Sequence, residues 1–283
     1  MKKLSLDSDI MEYNTDKPKL ILFQGPSGAG KTTVTKFLCQ ELIKNGIKSE
    51  VINFDNYAFA TDPKKTITGD YNFNCPSAYD WDGLRKLLVS YGKKEDFVER
   101  RIYNFETESV IITKQKNNKP DVLILEGFLI FNLVNEKIFN IEKSCSLNHS
   151  MSVKDNCNVP NPIDFSIYFN IYKIFFELEE SDIKKMRFIR YFNERKSKPQ
   201  LKNLCESDMK KFIEKELEKF VIPSTKSWVN YGKESADLIV KCSPFSHNRD
   251  LNEFIKEFIE YFCEDLIDTE INNSFNEYLL SNR

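Results

Sequence analysis

The sequence has no long uninterrupted apolar run and almost no net charge. Its longest apolar stretch, residues 122–134, contains Glu126 and Asn132 and is shorter than the roughly 20 residues that a membrane-spanning helix requires. The formal net charge of −2 gives no long-range field that would attract nucleic acid. We therefore expect neither a membrane segment nor a nucleic-acid partner.

Paired cysteine motifs and a secretory leader are missing as well. The seven cysteines show neither C-x-x-C pairing nor metal-ligand spacing. Asp7, Asp9 and Glu12 interrupt the region where a signal peptide would need its apolar core. These features predict reduced thiols and a cytoplasmic location. Hydrophobic residues at 41% and charged residues at 30% of the chain are typical of a folded globular protein.

The most informative stretch is glycine-rich and follows the apolar residues 20–23. Gly25, four intervening residues and then Gly30-Lys31-Thr32 fit a phosphate-binding loop, in which a strand ends in a turn that opens a helix. Glycines let backbone N–H groups converge on phosphate oxygens, and the helix N-terminus favours negative charge. Lys31 is predicted to reach the β- and γ-phosphates of a nucleotide, and Thr32 to bind Mg²⁺. The predicted cofactor-binding residues are Gly25, Pro26, Ser27, Gly28, Ala29, Gly30, Lys31, Thr32 and Thr33.

Two acidic residues come directly after predicted strands. Asp55 follows the run 51–54, and Glu126 ends the run 121–125. Because right-handed crossovers bring the carboxyl ends of parallel strands to one crevice, we expect Asp55 to lie near the phosphate loop. An acid in the position of Glu126 holds the Mg²⁺ shell in phosphoryl-transfer sites. The alternative is a strand-end acid that simply faces water.

Aromatic and basic residues follow in the remaining segments. Residues 57–79 are irregular and rich in tyrosine and phenylalanine, which suits a ring-shaped substrate, although loop aromatics often only pack. Residues 101–113 alternate as a β-hairpin does, with a turn at 106–108. A basic helix predicted over 182–196 carries Arg187 and Arg190 on one face. These arginines could clamp transferring phosphates as a lid does, or form a solvated surface.

Together these patterns predict an α/β fold with a mainly parallel central sheet flanked by helices, a β-hairpin and a helical lid. Further strands are expected at 173–178 and 237–240, and helices at 206–231, broken or kinked at Pro223, and at 251–262. The predicted organisation is a polar arm at 1–18, a P-loop domain at 19–243 and a C-terminal helical extension at 244–283. A polar insertion, expected to be mobile, interrupts the domain at 132–162.

The order of motifs resembles the uridine/cytidine kinase family, within the phosphoribulokinase and uridine kinase group of P-loop kinases. The resemblance covers about residues 19–241 apart from the insertion, and it extends well beyond the phosphate loop. The segments that carry it are Asp55-Asn56-Tyr57, Asn72 to Asp80, Tyr103 to Ser109, Leu125-Glu126-Gly127, the arginine helix with Arg187, Arg190 and Glu194-Arg195, and Ser235-Ala236-Asp237.

The resemblance implies a cytoplasmic enzyme of pyrimidine salvage that uses ATP and Mg²⁺ to phosphorylate the 5′-hydroxyl of uridine or cytidine. Members of the family are often tetrameric, which implies a homo-oligomer. Asp55 would accept the hydroxyl proton and lie near Mg²⁺ with Thr32 and Glu126, and the catalytic set would be Asp55, Lys31, Arg190 and Arg195. The implied substrate-binding residues are Asp55, Tyr57, Phe73, Asn74, Tyr103, Phe105, Glu108 and Arg187.

Three departures from the family pattern leave the acceptor open. Asn74 stands where the family has an aspartate that grips the sugar, Glu108 where it has a histidine at the base edge, and Ser197 where it has a further lid arginine. A related kinase acting on nicotinamide riboside, pantothenate or a sugar phosphate is one alternative. A regulatory module that binds nucleotide without transfer is another, but the presence of Asp55 and Glu126 argues against it.

Overall fold

A computed structural model describes residues 17–60, 72–134, 163–194, 204–230, 232–242, 248–263 and 266. The strands are β1 (Lys19–Gln24), β2 (Ser49–Asn53), β3 (Phe97–Asn104), β4 (Ser109–Lys116), β5 (Val122–Gly127), β6 (Asn170–Glu177) and β7 (Leu238–Lys241). The main helices are α1 (Lys31–Lys44), α2 (Trp81–Gly92), α3 (Glu180–Glu194), α4 (Glu206–Glu216) and α5 (Asn248–Phe262).

Five of the strands form one parallel sheet in the order β2-β5-β1-β6-β7, and β3 and β4 pair separately as an antiparallel hairpin. Every residue of β1 and β5 is buried. Their apolar runs, 20–23 and 122–125, are typical of parallel strands that are covered on both faces. The predicted mainly parallel sheet and the hairpin are therefore confirmed.

Alternate residues of β1 enter two different cores, as the period of two in a strand requires. Leu20 and Leu22 pack in the core that also contains α2 and the segment after β5. Ile21 and Phe23 pack in the core shared with α1, α4 and α5. The ring of Phe258 in α5 lies 5.6 Å from that of Phe23. Part of the predicted C-terminal extension thus shares the core of the domain, while the domain boundaries stay predictions.

The sequence predicts a break or a kink in the helical stretch around Pro223, and the structure shows no break. Instead of breaking, the chain continues α4 through π-helical turns at Leu217–Val221 and Thr225–Val229, on either side of the short helix Ile222–Ser224. Proline lacks a backbone N–H and crowds the preceding turn, and wider turns accommodate both effects. The stretch therefore stays continuous alongside the sheet.

Several predictions fall outside the described residues: the arm to residue 16, the insertion from 135 to 162, and Arg195. Within the described ranges, no helix is both long enough and apolar enough to cross a membrane.

Candidate active site

The glycine-rich segment connects the end of β1 to the start of α1, as its pattern predicts. Gly30 caps α1 in a left-handed conformation, with φ of 84°. The Nζ atom of Lys31 donates to the carbonyl oxygens of Gly25 at 2.8 Å and Pro26 at 2.9 Å. Burial lowers the pKa of Lys31, and the carboxylates of Glu126 and Asp55 oppose this effect. The lysine is therefore held at the mouth of the loop beside two acidic groups.

Thr32 and Glu126 meet at the same edge of the sheet. The Oγ1 hydroxyl of Thr32 donates to Oε1 of Glu126 at 2.9 Å, and Glu126 is only 4% exposed. Burial raises the pKa of Glu126, while Lys31 lowers it and Asp55 raises it further. A hydroxyl and two carboxylates are the hard oxygen ligands that Mg²⁺ prefers.

Asp55 lies in the 3₁₀ turn Phe54–Tyr57, directly after β2. Its backbone N–H donates to Oδ1 of Asn53 at 2.8 Å, which anchors the turn at the sheet edge. Among the described residues, no cluster of three or more His, Cys, Asp or Glu side chains is placed to hold a metal. Proteins usually bind Mg²⁺ through one or two carboxylates together with substrate phosphates and water, and Asp55 and Glu126 are two such carboxylates.

A cleft of about 600 Å³ joins these groups to the hairpin and to α3. Its walls include residues from the phosphate loop, the turn of Asp55, the segment 72–80, the hairpin, the end of β5 and α3, but none from Ser235 to Asp237. The predicted site residues that line it are Ser27, Gly28, Gly30, Lys31, Thr32, Thr33, Asp55, Phe73, Asn74, Tyr103, Phe105, Glu108, Glu126, Arg187 and Arg190.

The hairpin side of the cleft is aromatic. The ring of Tyr103 lies 6.3 Å from that of Phe73 and 4.8 Å from that of Phe105, both edge-on. The backbone N–H of Tyr103 donates to Oδ1 of Asn56 at 3.2 Å, so the hairpin is tied to the turn that carries Asp55. The three rings form a wall against which a planar group could stack.

Asn74 and Glu108 bring polar groups to the same wall. The backbone N–H of Asn74 donates to Oδ1 of Asn72 at 2.8 Å. Glu108 is 7% exposed and adopts a φ of 52° in the hairpin turn. Few residues other than glycine adopt this left-handed conformation, and of the three that do so among the described residues, Lys94, Glu108 and Lys119, only Glu108 lines the cleft.

Tyr57 is not brought into the cleft. Its side chain is buried, and the guanidinium of Arg101 lies over its ring at 5.9 Å. Ala58 and Tyr79, which pair through a β-bridge, line the cleft at this point instead. Tyr57 therefore packs on the side of the Asp55 turn that faces away from the cleft. Its predicted contact with substrate stays a prediction.

Helix α3 lies directly against the phosphate loop. Nη1 of Arg187 donates to Oγ of Ser27 at 3.0 Å, and Nη1 of Arg190 reaches the same oxygen at 3.4 Å. Arg187 also contacts Tyr191 and Glu216. These last two line the cleft but were not predicted, because the family motifs contain neither and no local pattern marks them.

Close packing requires glycine at position 28. Gly28 has a φ of 88°, and a Cβ built on it would lie 2.7 Å from Cβ of Met186 in α3. Gly46, with φ of 79°, has no atom within 4 Å of a built Cβ. The two glycines thus differ in contact with α3, although both use a left-handed backbone.

We expect Gly28→Ala to destabilise the protein more than Gly46→Ala. Both substitutions incur the strain of a left-handed alanine, about 1–2 kcal/mol, and Gly28→Ala adds overpacking of about 1–3 kcal/mol. Chemical denaturation measures the difference, and calorimetry should show weakened Mg-ADP binding for Gly28→Ala alone. Equal destabilisation of the two variants would show that α3 does not press on the loop.

Comparison with known proteins relates the chain to one kinase family. A profile of the Phosphoribulokinase / Uridine kinase family matches residues 20–154. The chain is 33% identical over 115 residues to a uridine kinase of Ureaplasma parvum, and the aligned region covers 40% of this chain and 55% of that protein. It is 32% identical over 125 residues to a uridine kinase of Schizosaccharomyces pombe, and the aligned region covers 43% of this chain and 26% of that protein. The chain thus spans about half or less of the length of these relatives.

The fold is also found among solved structures. A protein provisionally described as a fructose transport system kinase, from Silicibacter sp. TM1040, superposes with a TM-score of 0.51 at 16% sequence identity. The match covers 80% of this chain and 90% of that one. At this identity the likeness concerns the fold alone, and it confirms the predicted fold class.

Proposed function

We propose that the protein is an ATP-dependent kinase of the phosphoribulokinase/uridine kinase family, whose profile matches residues 20–154. Its proposed acceptor is the 5′-hydroxyl of a pyrimidine nucleoside, uridine or cytidine. The observation that carries the proposal is one cleft in which the phosphate loop, the Thr32–Glu126 pair and Asp55 face an aromatic wall. A cytoplasmic location and a homo-oligomeric state stay predictions.

In the donor half, residues 25–33 would bind the phosphates through backbone N–H groups and Lys31. Thr32, Asp55 and Glu126 would hold Mg²⁺, which supplies neutralising charge for the phosphates when bound. Arg190, and Arg195 outside the described residues, would stabilise the charge that develops on the transferred phosphoryl group. This division of roles suits phosphoryl transfer, which depends on positioning and charge neutralisation more than on covalent chemistry.

In the acceptor half, Asp55 would accept the proton of the attacking hydroxyl. Asn74 would hydrogen-bond the sugar, and Glu108 would accept an N–H from the edge of the base. Arg187 is implied by the family resemblance to contact the ribose, but it already lies against Ser27 and Glu216. The aromatic wall of Phe73, Tyr103 and Phe105 would enclose the base.

The charges of the cleft favour an acceptor without a negative group. Among the described lining residues, the cations Lys31, Arg187 and Arg190 cluster at the phosphate loop, whereas the acceptor half carries the carboxylates Asp55 and Glu108. Like charges brought together in a cleft repel each other. This supports a nucleoside over a sugar phosphate or pantothenate, and it is also compatible with nicotinamide riboside, whose ring is cationic.

A panel of acceptors with Mg-ATP tests the proposed function directly. We expect turnover of uridine or cytidine, measured by product formation and ADP release, and little turnover of sugar phosphates or pantothenate. Turnover of nicotinamide riboside alone would move the assignment to that acceptor. No turnover of any pyrimidine nucleoside would overturn the pyrimidine assignment, and ATP consumption that does not depend on any acceptor would overturn the kinase assignment.

Asp55→Asn should abolish most of the activity while the nucleotide still binds. Loss of a general base costs about 10²–10⁴-fold in rate. The substitution leaves the backbone N–H of Asp55, which donates to Asn53 in the turn, unchanged. Steady-state kinetics measures kcat, and calorimetry measures Mg-ADP affinity. Asp82→Asn, on the exposed face of α2, is the matched control and should turn over normally. Near-normal kcat in Asp55→Asn would rule out the proposed base.

Glu108→His should change the preference between uridine and cytidine. The carboxylate can accept from the N4 amine of cytosine or the N3–H of uracil and repels the O2 and O4 carbonyls, and a hydrogen bond to a charged group contributes about 1.5–3 kcal/mol. We expect the cytidine-to-uridine ratio of kcat/KM to shift at least about tenfold. Glu106→His, on the exposed part of the same turn, is the control. An unchanged ratio would show that Glu108 does not contact the base.

A further inference from the structure

Arg187 lies at the centre of a closed set of hydrogen bonds. Its Nη2 atom donates to Oε1 of Glu216 at 2.7 Å and to the hydroxyl of Tyr191 at 3.1 Å, and its Nη1 atom donates to Oγ of Ser27. The hydroxyl of Tyr191 in turn donates to Oε2 of Glu216. The set joins α3, the end of α4 and the phosphate loop.

Counting the donors of Arg187 shows how little of this guanidinium remains for a ligand. Of its five N–H groups, both on Nη2 and one on Nη1 are engaged. Nε is buried and has no hydrogen-bond partner among the described residues. The one N–H left on Nη1 cannot form the paired contact by which arginine recognises carboxylate or phosphate.

The charge of Arg187 is also balanced within the protein. Its side chain is 12% exposed and that of Glu216 is 18% exposed. Burial alone would lower the pKa of Arg187, but Glu216 and Tyr191 together more than offset this and hold the pKa above its ordinary value. Removal of one member of a buried ion pair leaves the other charge uncompensated, which is far more damaging than loss of a surface pair.

We propose that Glu216 and Tyr191 are positioning residues, which hold the guanidinium of Arg187 so that it connects helix α3 to the phosphate loop. In this arrangement Arg187 orders Ser27 and the loop for nucleotide instead of binding the acceptor. The packing of Met186 against Gly28 presses α3 on the loop at the neighbouring residue. Arg190, one turn further along α3, lines the cleft and also donates to Oγ of Ser27 at 3.4 Å.

The proposal rests on the proposed function only in that the loop binds a nucleotide. Its main competitor is that Glu216, which lines the cleft, contacts the acceptor directly. The two roles predict different measurements. A positioning residue that acts through Arg187 changes nucleotide affinity and loses its effect when Arg187 is removed, whereas an acceptor ligand changes the KM of the acceptor independently of Arg187.

A double-mutant cycle on Mg-ADP affinity, measured by calorimetry on the full chain without acceptor, separates these roles. We expect Glu216→Gln and Arg187→Met each to weaken Mg-ADP about tenfold, and the double variant to bind no more weakly than Arg187→Met alone. Glu214→Gln, an exposed acid on the same helix, is the matched control and should bind normally. Additive losses, or an unchanged Mg-ADP affinity in Glu216→Gln, would overturn the proposal.

Tyr191→Phe provides a second variant in case Glu216→Gln folds poorly. It removes one hydroxyl from the set and keeps the Arg187–Glu216 ion pair, so we expect Mg-ADP affinity to fall about two- to fivefold. Unchanged affinity in Tyr191→Phe would remove Tyr191 from the proposal. Because these measurements need no acceptor, an error in the pyrimidine assignment would leave them unaffected, whereas wild-type protein that fails to bind Mg-ADP would overturn the kinase assignment itself.

Discussion

The position of β1 between β5 and β6 is the constraint on which the site depends. Parallel pairing sets Phe23 beside Glu126 on one side and Ile174 on the other, so the segments after these strands leave the sheet at one edge. Because both faces are covered, polar groups at this edge must find partners inside the protein. Gln24 does so: its buried amide donates to the carbonyl of Val229 and accepts from the N–H of Phe131. These buried hydrogen bonds fix the end of β1 to Val229, which lines the cleft.

The donor half could be predicted from the sequence because its information is local. The phosphate loop has its own strand before it and its own helix after it, and Asp55 and Glu126 each follow a buried strand. A single topological rule, that parallel strands end at the same edge, was enough to place these groups together. Thr32 and Glu126 are 94 positions apart, but Glu126 lies at the carboxyl end of one strand and Thr32 follows the carboxyl end of its neighbour, so the rule brings them together.

The other half depends on contacts between distant segments. Ser27 and Arg187 are 160 positions apart, and Tyr191 and Glu216 are 25 apart. The helical period places Glu216, three positions after the buried Ile213, on the inward face of α4 and leaves Glu214 exposed, but only the packing of α4 against α3 decides that Glu216 meets Arg187.

Tyr57 shows a different limit of prediction from sequence. The composition marks an aromatic segment, but it does not show which way each ring points. The bridge between Ala58 and Tyr79 sets the local chain path, and Tyr57 packs beneath Arg101.

The helix through Pro223 is a second case in which a local rule does not decide the local structure. A rule about proline predicts a break, but π-helical turns absorb the missing N–H because the helix gains from packing along its whole length.

The two departures at Asn74 and Glu108 are best considered together. Relative to the family pattern that the sequence resembles, position 74 loses an acid and position 108 gains one, so the acceptor half keeps its number of carboxylates. Under the proposed function, the negative charge would move from the residue that grips the sugar to the residue at the edge of the base. Glu108 is buried with a φ of 52°, a conformation that costs of order 1–3 kcal/mol and persists only where the surroundings enforce it. Lys94 and Lys119 share this left-handed conformation, but of the three only Glu108 lines the cleft, which makes it the residue at which acceptor preference is best tested.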